Sequence, residues 1–272
     1  LNCLPWPKNA AMVKTPSQPA PSSQPTVFEF VGSKNSDVLF YAEKVLAAYR
    51  LGPISIEVLE SGDAAVPMWT MDESYELEVT NNRVGLRAGS KWGALRGIST
   101  LAQLARHDQV LPGLSIEDSP RFPWRGLLLD VARHFFPIQS LKSVVDGLAM
   151  LKMNVLHLHL SDDQGFRFPS AAYPELASAD HYTREELKAL VGYAAELGVR
   201  IVPELDMPGH VTSWLVAYPQ WGKRNICEPT QRFGVHKGCL NPLDENVYTA
   251  IETLLGELAD IFPDDYVHVG GD

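Results

Sequence analysis

Four short apolar runs in the C-terminal half of the chain each end in, or lead directly into, a carboxylate. The runs cover residues 126–130, 155–160, 200–205 and 266–269. Between them lie segments with apolar residues at helical spacing, at 138–153, 183–197 and 246–262. Continuous apolar runs that alternate with amphipathic helices are typical of parallel strands buried on both faces. The pattern predicts an α/β fold of four βα units, as in a (β/α)₈ barrel or an open doubly wound sheet.

Charged residues follow all four predicted strands. They are Asp130 after the first, Asp162 and Asp163 after the second, Glu204 and Asp206 at the third, and Asp272 after the fourth. Both architectures place their chemistry at the carboxyl ends of parallel strands. No G-x-G-x-x-G sequence follows any of the runs, which disfavours a nucleotide-binding sheet. We therefore expect the acids to converge on one rim and form an active site.

The N-terminal half has a different composition. Residues 1–26 are rich in proline, serine and glutamine and predict an extended segment, with a strap or linker over 15–26. Residues 27–118 combine helical patterns at 37–49 and 91–106 with alternating strands near 54–58, 75–79 and 84–86. This predicts a small α+β domain that serves as scaffold, with a boundary before residues 119–272.

Composition restricts the partners and the compartment. The 272 residues carry a formal net charge of −10 and no basic run, so nucleic acid and anionic membrane surfaces are poor partners. No apolar stretch approaches the roughly 20 residues that a membrane helix needs. Leu1 in place of a methionine suggests a processed N-terminus and an extracytoplasmic location. Cys227 and Cys239 are either bridged or two reduced thiols, and both alternatives remain open.

Two residues near the predicted rim have chemical and structural interpretations. Arg133 offers a rigid fork of donors for sugar hydroxyls or a carboxylate, or it is a salt-bridge partner of the acids. His210 follows a Pro-Gly turn beside Asp206. A carboxylate beside an imidazole favours the imidazolium and can tune a neighbouring acid. The alternative is that His210 is an ordinary turn residue.

His157 and His159 are separated by one strand residue, so their imidazoles share a face. One interpretation is a metal pair in a metal-dependent barrel hydrolase. The mid-strand position and the lack of an H-E-x-x-H motif disfavour it.

Four motifs occur in the order R-G-L-L-L-D-V-A-R-H-F-F, N-V-L-H-L-H-L-S-D-D-Q-G-F-R, P-E-L-D-M-P-G-H and H-V-G-G-D. This arrangement resembles the family 20 glycoside hydrolases, the β-N-acetylhexosaminidases. L-P-W-P and W-G-A-L-R-G-I-S-T-L-A-Q-L resemble the leading α/β domain of that family. Leu158 and Phe166 depart from the pattern, since relatives often carry tryptophan there. The resemblance implies a small α/β domain followed by the first half of a TIM barrel.

The resemblance also implies an exo-acting enzyme that removes terminal β-linked N-acetylglucosamine or N-acetylgalactosamine from an oligosaccharide or glycoconjugate. Catalysis would be substrate-assisted and retaining, through an oxazolinium intermediate, with no metal and no cofactor. Asp272 would polarise the acetamido nitrogen, Arg133 would bind ring hydroxyls, and Asp162 with His210 would tune the general acid.

In the family, that acid is a glutamate directly after the aspartate of H-V-G-G-D. The 272 residues alone are therefore expected to be inactive and to need the C-terminal half of the same enzyme. A non-catalytic N-acetylhexosamine-binding relative remains an alternative.

Overall fold

The computed structural model describes residues 3–13, 25–59, 65–80, 83–107, 111, 113–223, 228 and 230–272. The chain divides into two compact units. The first contains Leu1–Arg125, Val145–Asn154 and Ala195–Val199, and the second contains Gly126–Val144, Val155–Ala194 and Arg200–Asp272. The domain boundary near residue 119 stays a prediction. The predicted linker at 15–26 falls largely outside the described residues.

The first unit is built on a six-stranded mixed sheet with strand order β1-β6-β4-β5-β3-β2. Its strands are β1 (Asn9–Met12), β2 (Val27–Val31), β3 (Pro53–Val58), β4 (Tyr75–Thr80), β5 (Arg83–Ala88) and β6 (Leu114–Asp118). Its two complete helices are α1 (Ser36–Leu46) and α2 (Lys91–His107). Both helices were predicted, and α1 begins where the Asn35 side chain accepts hydrogen bonds from the backbone N–H groups of Asp37 and Val38.

Three strands of this sheet were not predicted. Strand β1 lies within the segment 1–26, which was expected to extend rather than pack, and all four of its residues are exposed. Its sequence shows no apolar alternation. It lies at the sheet edge and pairs antiparallel to β6, with Asn9 opposite Glu117. The edge strand β2 and the five-residue β6 are likewise short, and long-range pairing rather than local pattern defines them.

The second unit contains four parallel strands in the order β11-β10-β8-β7. These are β7 (Gly126–Asp130), β8 (Val155–Asp162), β10 (Arg200–Met207) and β11 (His268–Gly270), and the short β9 (Gly165–Phe166) pairs with the end of β8. The helices α4 (Arg184–Glu196), α5 (Thr212–Ala217) and α6 (Glu245–Ala259) belong to this unit, whereas α3 (Ile138–Met150) is divided between the units. Consecutive parallel strands with intervening helices confirm the predicted partial (β/α)₈ barrel.

Burial differs between inner and outer strands. All residues of β10, and all but one of β8, are buried. In contrast, β7 and β11 are half-buried or exposed, and the expectation that these two apolar runs are buried on both faces was wrong. Each of them pairs with a strand on one side only in the described part of the chain.

Two local features position the strand ends. The predicted capping box at the start of α4 is present: the Glu186 carboxylate accepts the backbone N–H of Thr183, and the Thr183 hydroxyl accepts the backbone N–H of Glu186. Strands β8 and β10 each run two residues further than predicted, so that Asp162 and Asp206 lie within the ordered ladder.

Among the described residues, no helix combines the length and apolarity that crossing a bilayer requires.

Candidate active site

Asp130 and Arg133 form the first part of the rim. The Asp130 Oδ1 atom, at the end of β7, accepts hydrogen bonds from the backbone N–H groups of Ala132 and Arg133, both at 3.0 Å. This turn directs the Arg133 side chain back across the strand end. Its Nη1 atom donates to Asp130 Oδ2 at 2.9 Å, and its Nη2 atom lies 2.8 Å from Asp162 Oδ2. Arg133 is thus a salt-bridge partner of the acids, and its side chain keeps 30% exposure from which to contact a ligand.

Asp162 is the centre of the site and has no exposed surface. Its Oδ2 atom contacts Arg133 and accepts from His159 Nε2 at 2.7 Å. Its Oδ1 atom accepts from the backbone N–H of Asp163 at 2.7 Å and from His210 Nδ1 at 3.1 Å. Burial opposes ionisation, but the hydrogen bonds from His159 and Asp163 and the Arg133 charge outweigh it, so the pKa of Asp162 is lowered.

His210 connects Asp162 to the exposed end of the site. It has a left-handed backbone with φ of 53°, which is uncommon for a residue other than glycine. Its Nδ1 atom lies 3.1 Å from both Asp162 Oδ1 and Asp163 Oδ2, and its Nε2 atom lies 3.3 Å from Asp272 Oδ2. Burial lowers the pKa of His210, but the charges of Asp162 and Asp163 outweigh that effect and raise it. The imidazolium is therefore the favoured form.

The two glycines of the last motif allow a close approach of chain segments. Gly270 has φ of 68° and packs so closely against the Asp206 side chain that a β-carbon would overlap the carboxylate. Gly271 has φ of 111° and donates its backbone N–H to the Met207 carbonyl. The Asp272 carbonyl accepts the backbone N–H of Gly209 at 2.9 Å. The Asp272 side chain remains 71% exposed.

Asp206 is buried and its Oδ1 atom has no hydrogen-bond partner within the described residues. Burial, together with the neighbouring charges of Asp272 and Glu204, raises the pKa of Asp206 to about 6. A carboxyl group with that pKa changes its protonation within the range in which enzymes operate.

Asp163, grouped by sequence with the rim acids, has a structural partner. Its Oδ1 atom accepts both the backbone N–H and the side-chain hydroxyl of Thr212, at 3.0 and 2.5 Å. Thr212 is the first residue of α5, so Asp163 fixes the start of a helix that the sequence analysis did not predict.

His159 and Glu204 also belong to the site; Glu204 was expected among the rim acids, and His159 only as half of a possible metal pair. His159 Nδ1 lies 2.9 Å from Glu204 Oε2, and His157 Nε2 lies 2.5 Å from the same oxygen. Both contacts are within ion-pair distance. Burial lowers the pKa of His159, but its contacts with Asp162 and Glu204 raise it to about 10. The shared face predicted for His157 and His159 is the signal that pointed to this contact.

Three groups of side chains place potential ligand atoms within 4.8 Å of one another: His157, Glu204 and His268; His159, Glu204 and Asp206; Asp162, Asp206 and His210. Metal ligation by histidine needs a nitrogen lone pair. Both nitrogens of His159 face carboxylate oxygens, at 2.7 and 2.9 Å, and the raised pKa keeps both protonated. This geometry disfavours the predicted alternative of a His157–His159 metal pair.

The departures from the family pattern lie inside the second unit. Phe166 packs edge-to-face against Trp214 with ring centroids 5.3 Å apart, and both rings are fully buried. Leu158 is also fully buried. The predicted alternative of a Cys227–Cys239 bridge includes Cys227, which lies outside the described residues.

Comparisons with known proteins cover both units. Residues 122–272 match the model for glycosyl hydrolase family 20, catalytic domain, and residues 6–104 match the model for beta-acetyl hexosaminidase like proteins. Beta-hexosaminidase subunit beta of Mus musculus is 37% identical over 259 residues, which cover 90% of this chain and 47% of the relative.

Solved structures are also similar to this chain. The chitobiase of Flavobacterium johnsoniae is similar with a TM-score of 0.88 and 33% identity, covering 100% of this chain and 45% of that one. A mutant Streptomyces plicatus beta-hexosaminidase in complex with the product GlcNAc has a TM-score of 0.84 and 29% identity, covering 98% and 58%. The chain thus spans about half the length of the relatives it matches.

Proposed function

Because the chain belongs to glycosyl hydrolase family 20, we propose that it is the N-terminal part of an exo-acting β-N-acetylhexosaminidase. The enzyme would remove terminal non-reducing β-linked N-acetylglucosamine or N-acetylgalactosamine from an oligosaccharide or glycoconjugate. The C-terminal half of the same enzyme would complete the barrel and supply the proton donor. Relatives named beta-hexosaminidase and chitobiase support this substrate class.

The single observation that carries the proposal is the ion-pair series Arg133–Asp162–His210–Asp272 along the strand ends. Its contacts are 2.8, 3.1 and 3.3 Å long. The series joins the ends of β7, β8 and β11 through the loop after β10. Strand ends of a barrel are where its catalytic residues lie.

Asp272 would bind the 2-acetamido group of the sugar. Its carboxylate is exposed and can accept the acetamido N–H. When the acetamido oxygen attacks the anomeric carbon, positive charge develops on the nitrogen, and a fixed carboxylate stabilises that charge more than it stabilises the ground state. Retention of configuration follows, because water then opens the oxazolinium from the opposite face.

His210 and Asp162 would control the proton supply. Asp162 holds the Nδ1–H of His210 and leaves its Nε2–H directed towards Asp272. A cation at this position favours the ionised form of neighbouring carboxylates and so sets the proton affinity of a general acid placed beside it. Arg133 would position ring hydroxyls of the terminal sugar with the part of its guanidinium that remains exposed.

We also propose an extracytoplasmic location for the enzyme.

The experiment is hydrolysis of 4-nitrophenyl N-acetyl-β-glucosaminide by the full-length protein that contains this chain, with the anomer of the released sugar followed by proton NMR. We expect turnover with the β-anomer formed first. Asp272→Asn should reduce kcat by about 10²- to 10³-fold, as for loss of one transition-state-stabilising group. Binding of N-acetylglucosamine without turnover would favour the non-catalytic alternative, and turnover that EDTA abolishes would favour the metal-dependent one.

A further inference from the structure

His159 lies between two carboxylates on neighbouring strands. Its Nε2 atom is 2.7 Å from Asp162 Oδ2 on β8, and its Nδ1 atom is 2.9 Å from Glu204 Oε2 on β10. The His159 side chain is 6% exposed and the two carboxylates 0% and 5%. A neutral imidazole has one lone pair, which would face a carboxylate oxygen in this position. While both carboxylates are ionised, the arrangement therefore favours a ring in which both nitrogens carry a proton.

This cation compensates a dense group of charges. The ionisable side chains that face His159 and Asp162 come from every strand end of the second unit: Asp130, Arg133, His157, Asp163, Glu204, Asp206, His210, His268 and Asp272. Five of these nine are acids. A buried carboxylate such as Asp162 becomes protonated unless cations and donors offset the loss of solvation.

Three cationic side chains contact the Asp162 carboxylate. Arg133 and His159 contact Oδ2, whereas His210 contacts Oδ1. Arg133 is partly exposed and, in the proposed function, shared with the substrate. His159 and both of its carboxylate partners are buried, so this contact forms without the substrate.

Resting on the proposed function, we propose that His159 and Glu204 are positioning residues: His159, held as an imidazolium by Glu204, fixes Asp162 as an ionised carboxylate directed at His210. The relay is then four residues long, Glu204–His159–Asp162–His210, rather than two. His157 supports its far end through the same Glu204 oxygen. Burial lowers the pKa of His159, but its contacts with both carboxylates raise that pKa to about 10, which agrees with this assignment.

The test uses the full-length protein that contains this chain, with kcat and KM for the 4-nitrophenyl substrate measured from pH 4 to pH 10. His159→Gln removes the cation beside Asp162. We expect kcat to fall about 10- to 100-fold, KM to change little, and the acid limb of the profile to move up by about one pH unit. Glu204→Gln should instead retain activity at low pH and lose it from the alkaline side, because His159 then loses its proton more easily.

A merely structural role would lower activity at all pH values without moving either limb, and that result would overturn the proposal. The control is His181→Gln. His181 is exposed and its Nδ1 atom hydrogen-bonds to the Ser178 carbonyl, so this variant should leave both limbs in place.

A readout independent of turnover separates failure of this inference from failure of the proposed function. In selectively ¹⁵N-histidine-labelled protein, His159 should retain two protonated ring nitrogens at pH 8, and the signals should vanish in His159→Gln but not in His181→Gln. A His159 that titrates near its ordinary pKa of about 6.5 would overturn the inference even in an active enzyme. Two protons on His159 in a protein without hexosaminidase activity would support the geometry and contradict the proposed function.

Discussion

The Asp162 carboxylate, which has no exposed surface, contacts His210 Nδ1 at 3.1 Å across the gap between the end of β8 and the loop after β10. These residues are 48 positions apart in the chain. The contact requires the parallel register of β8 and β10 and the left-handed backbone at His210. The fold of the second unit and the proposed chemistry thus depend on the same few backbone positions.

Arg133→Lys tests the need for a forked cation. A lysine keeps the charge but cannot contact Asp130 and Asp162 at once with the geometry of two guanidinium nitrogens. We expect kcat/KM of the full-length enzyme to fall about 10- to 100-fold, the value of one or two charged hydrogen bonds. Arg184→Lys is the matched control, since its ion pair with the 70% exposed Asp260 lies at the surface. Equal activity of the two variants would contradict the assignment.

Gly270→Ala tests the close approach at the end of β11. A β-carbon there overlaps the Asp206 side chain, and φ of 68° is unfavourable for alanine. We expect a lower Tm together with loss of activity. Gly256→Ala, in the exposed part of α6 with open space around it, should raise the free energy of unfolding by about 0.5–1 kcal/mol. A Gly270→Ala protein as stable as wild type would show that the approach is not required.

Glu73→Gln tests the buried ion pairs of the first unit. Glu73 Oε1 accepts from Arg96 Nε at 2.7 Å and from Arg125 Nη2 at 2.6 Å, and its side chain is 2% exposed. Without the carboxylate, two cations lose their counter-charge, so we expect a loss of about 3–5 kcal/mol in the free energy of unfolding.

The matched control for Glu73 is Glu57→Gln, which breaks the exposed pair with Arg87. It should cost about 0–1 kcal/mol. Urea denaturation measures the free energy of unfolding of both variants. Equal losses would contradict the expected difference between the buried and the exposed ion pairs.

Asp206→Asn tests the pH dependence of stability. The pKa of Asp206 is about 6 in the folded protein, above the ordinary value. Below about pH 4 the carboxyl is protonated in both states, so it costs nothing. As the pH rises from about 4 to 6, the unfolded state ionises while the folded state keeps its proton, so wild-type stability falls, and the loss is complete above pH 6. Asp206→Asn should therefore be more stable than wild type at pH 8, by up to about 2–3 kcal/mol, with a smaller difference at pH 4. A difference that does not depend on pH would contradict the raised pKa.

Prediction from sequence succeeded where a pattern was local. The four parallel strands, the helices between them and the capping box at Thr183 and Glu186 follow from apolar periodicity and cap chemistry. Strand β1 could not be predicted, because its four exposed residues are defined only by pairing with β6 over a hundred positions away. The burial of β7 was overestimated because an apolar run does not reveal how many neighbours its strand has.

The candidate site, like the fold, could be predicted from sequence only in part. Carboxylates at strand ends predicted which side chains gather, and the structure brings Asp162, His210, Arg133 and Asp272 into one series. The partner of each atom could not be read from spacing. Asp163 and Glu204 were both grouped with the rim acids, although Asp163 fixes the start of α5 and Glu204 contacts His157 and His159. Pairing across strands decides these contacts.

The central claim is that the acetamido group of the substrate takes part in the reaction and that Asp272 holds it. The most direct measurement compares hydrolysis of 4-nitrophenyl N-acetyl-β-glucosaminide with that of 4-nitrophenyl β-glucoside, which has a hydroxyl in place of the acetamido group, by the full-length protein. The account predicts that kcat/KM for the glucoside is lower by at least about 10³-fold, and that Asp272→Asn narrows this ratio. Similar rates on both substrates, or a ratio that Asp272→Asn leaves unchanged, would contradict it.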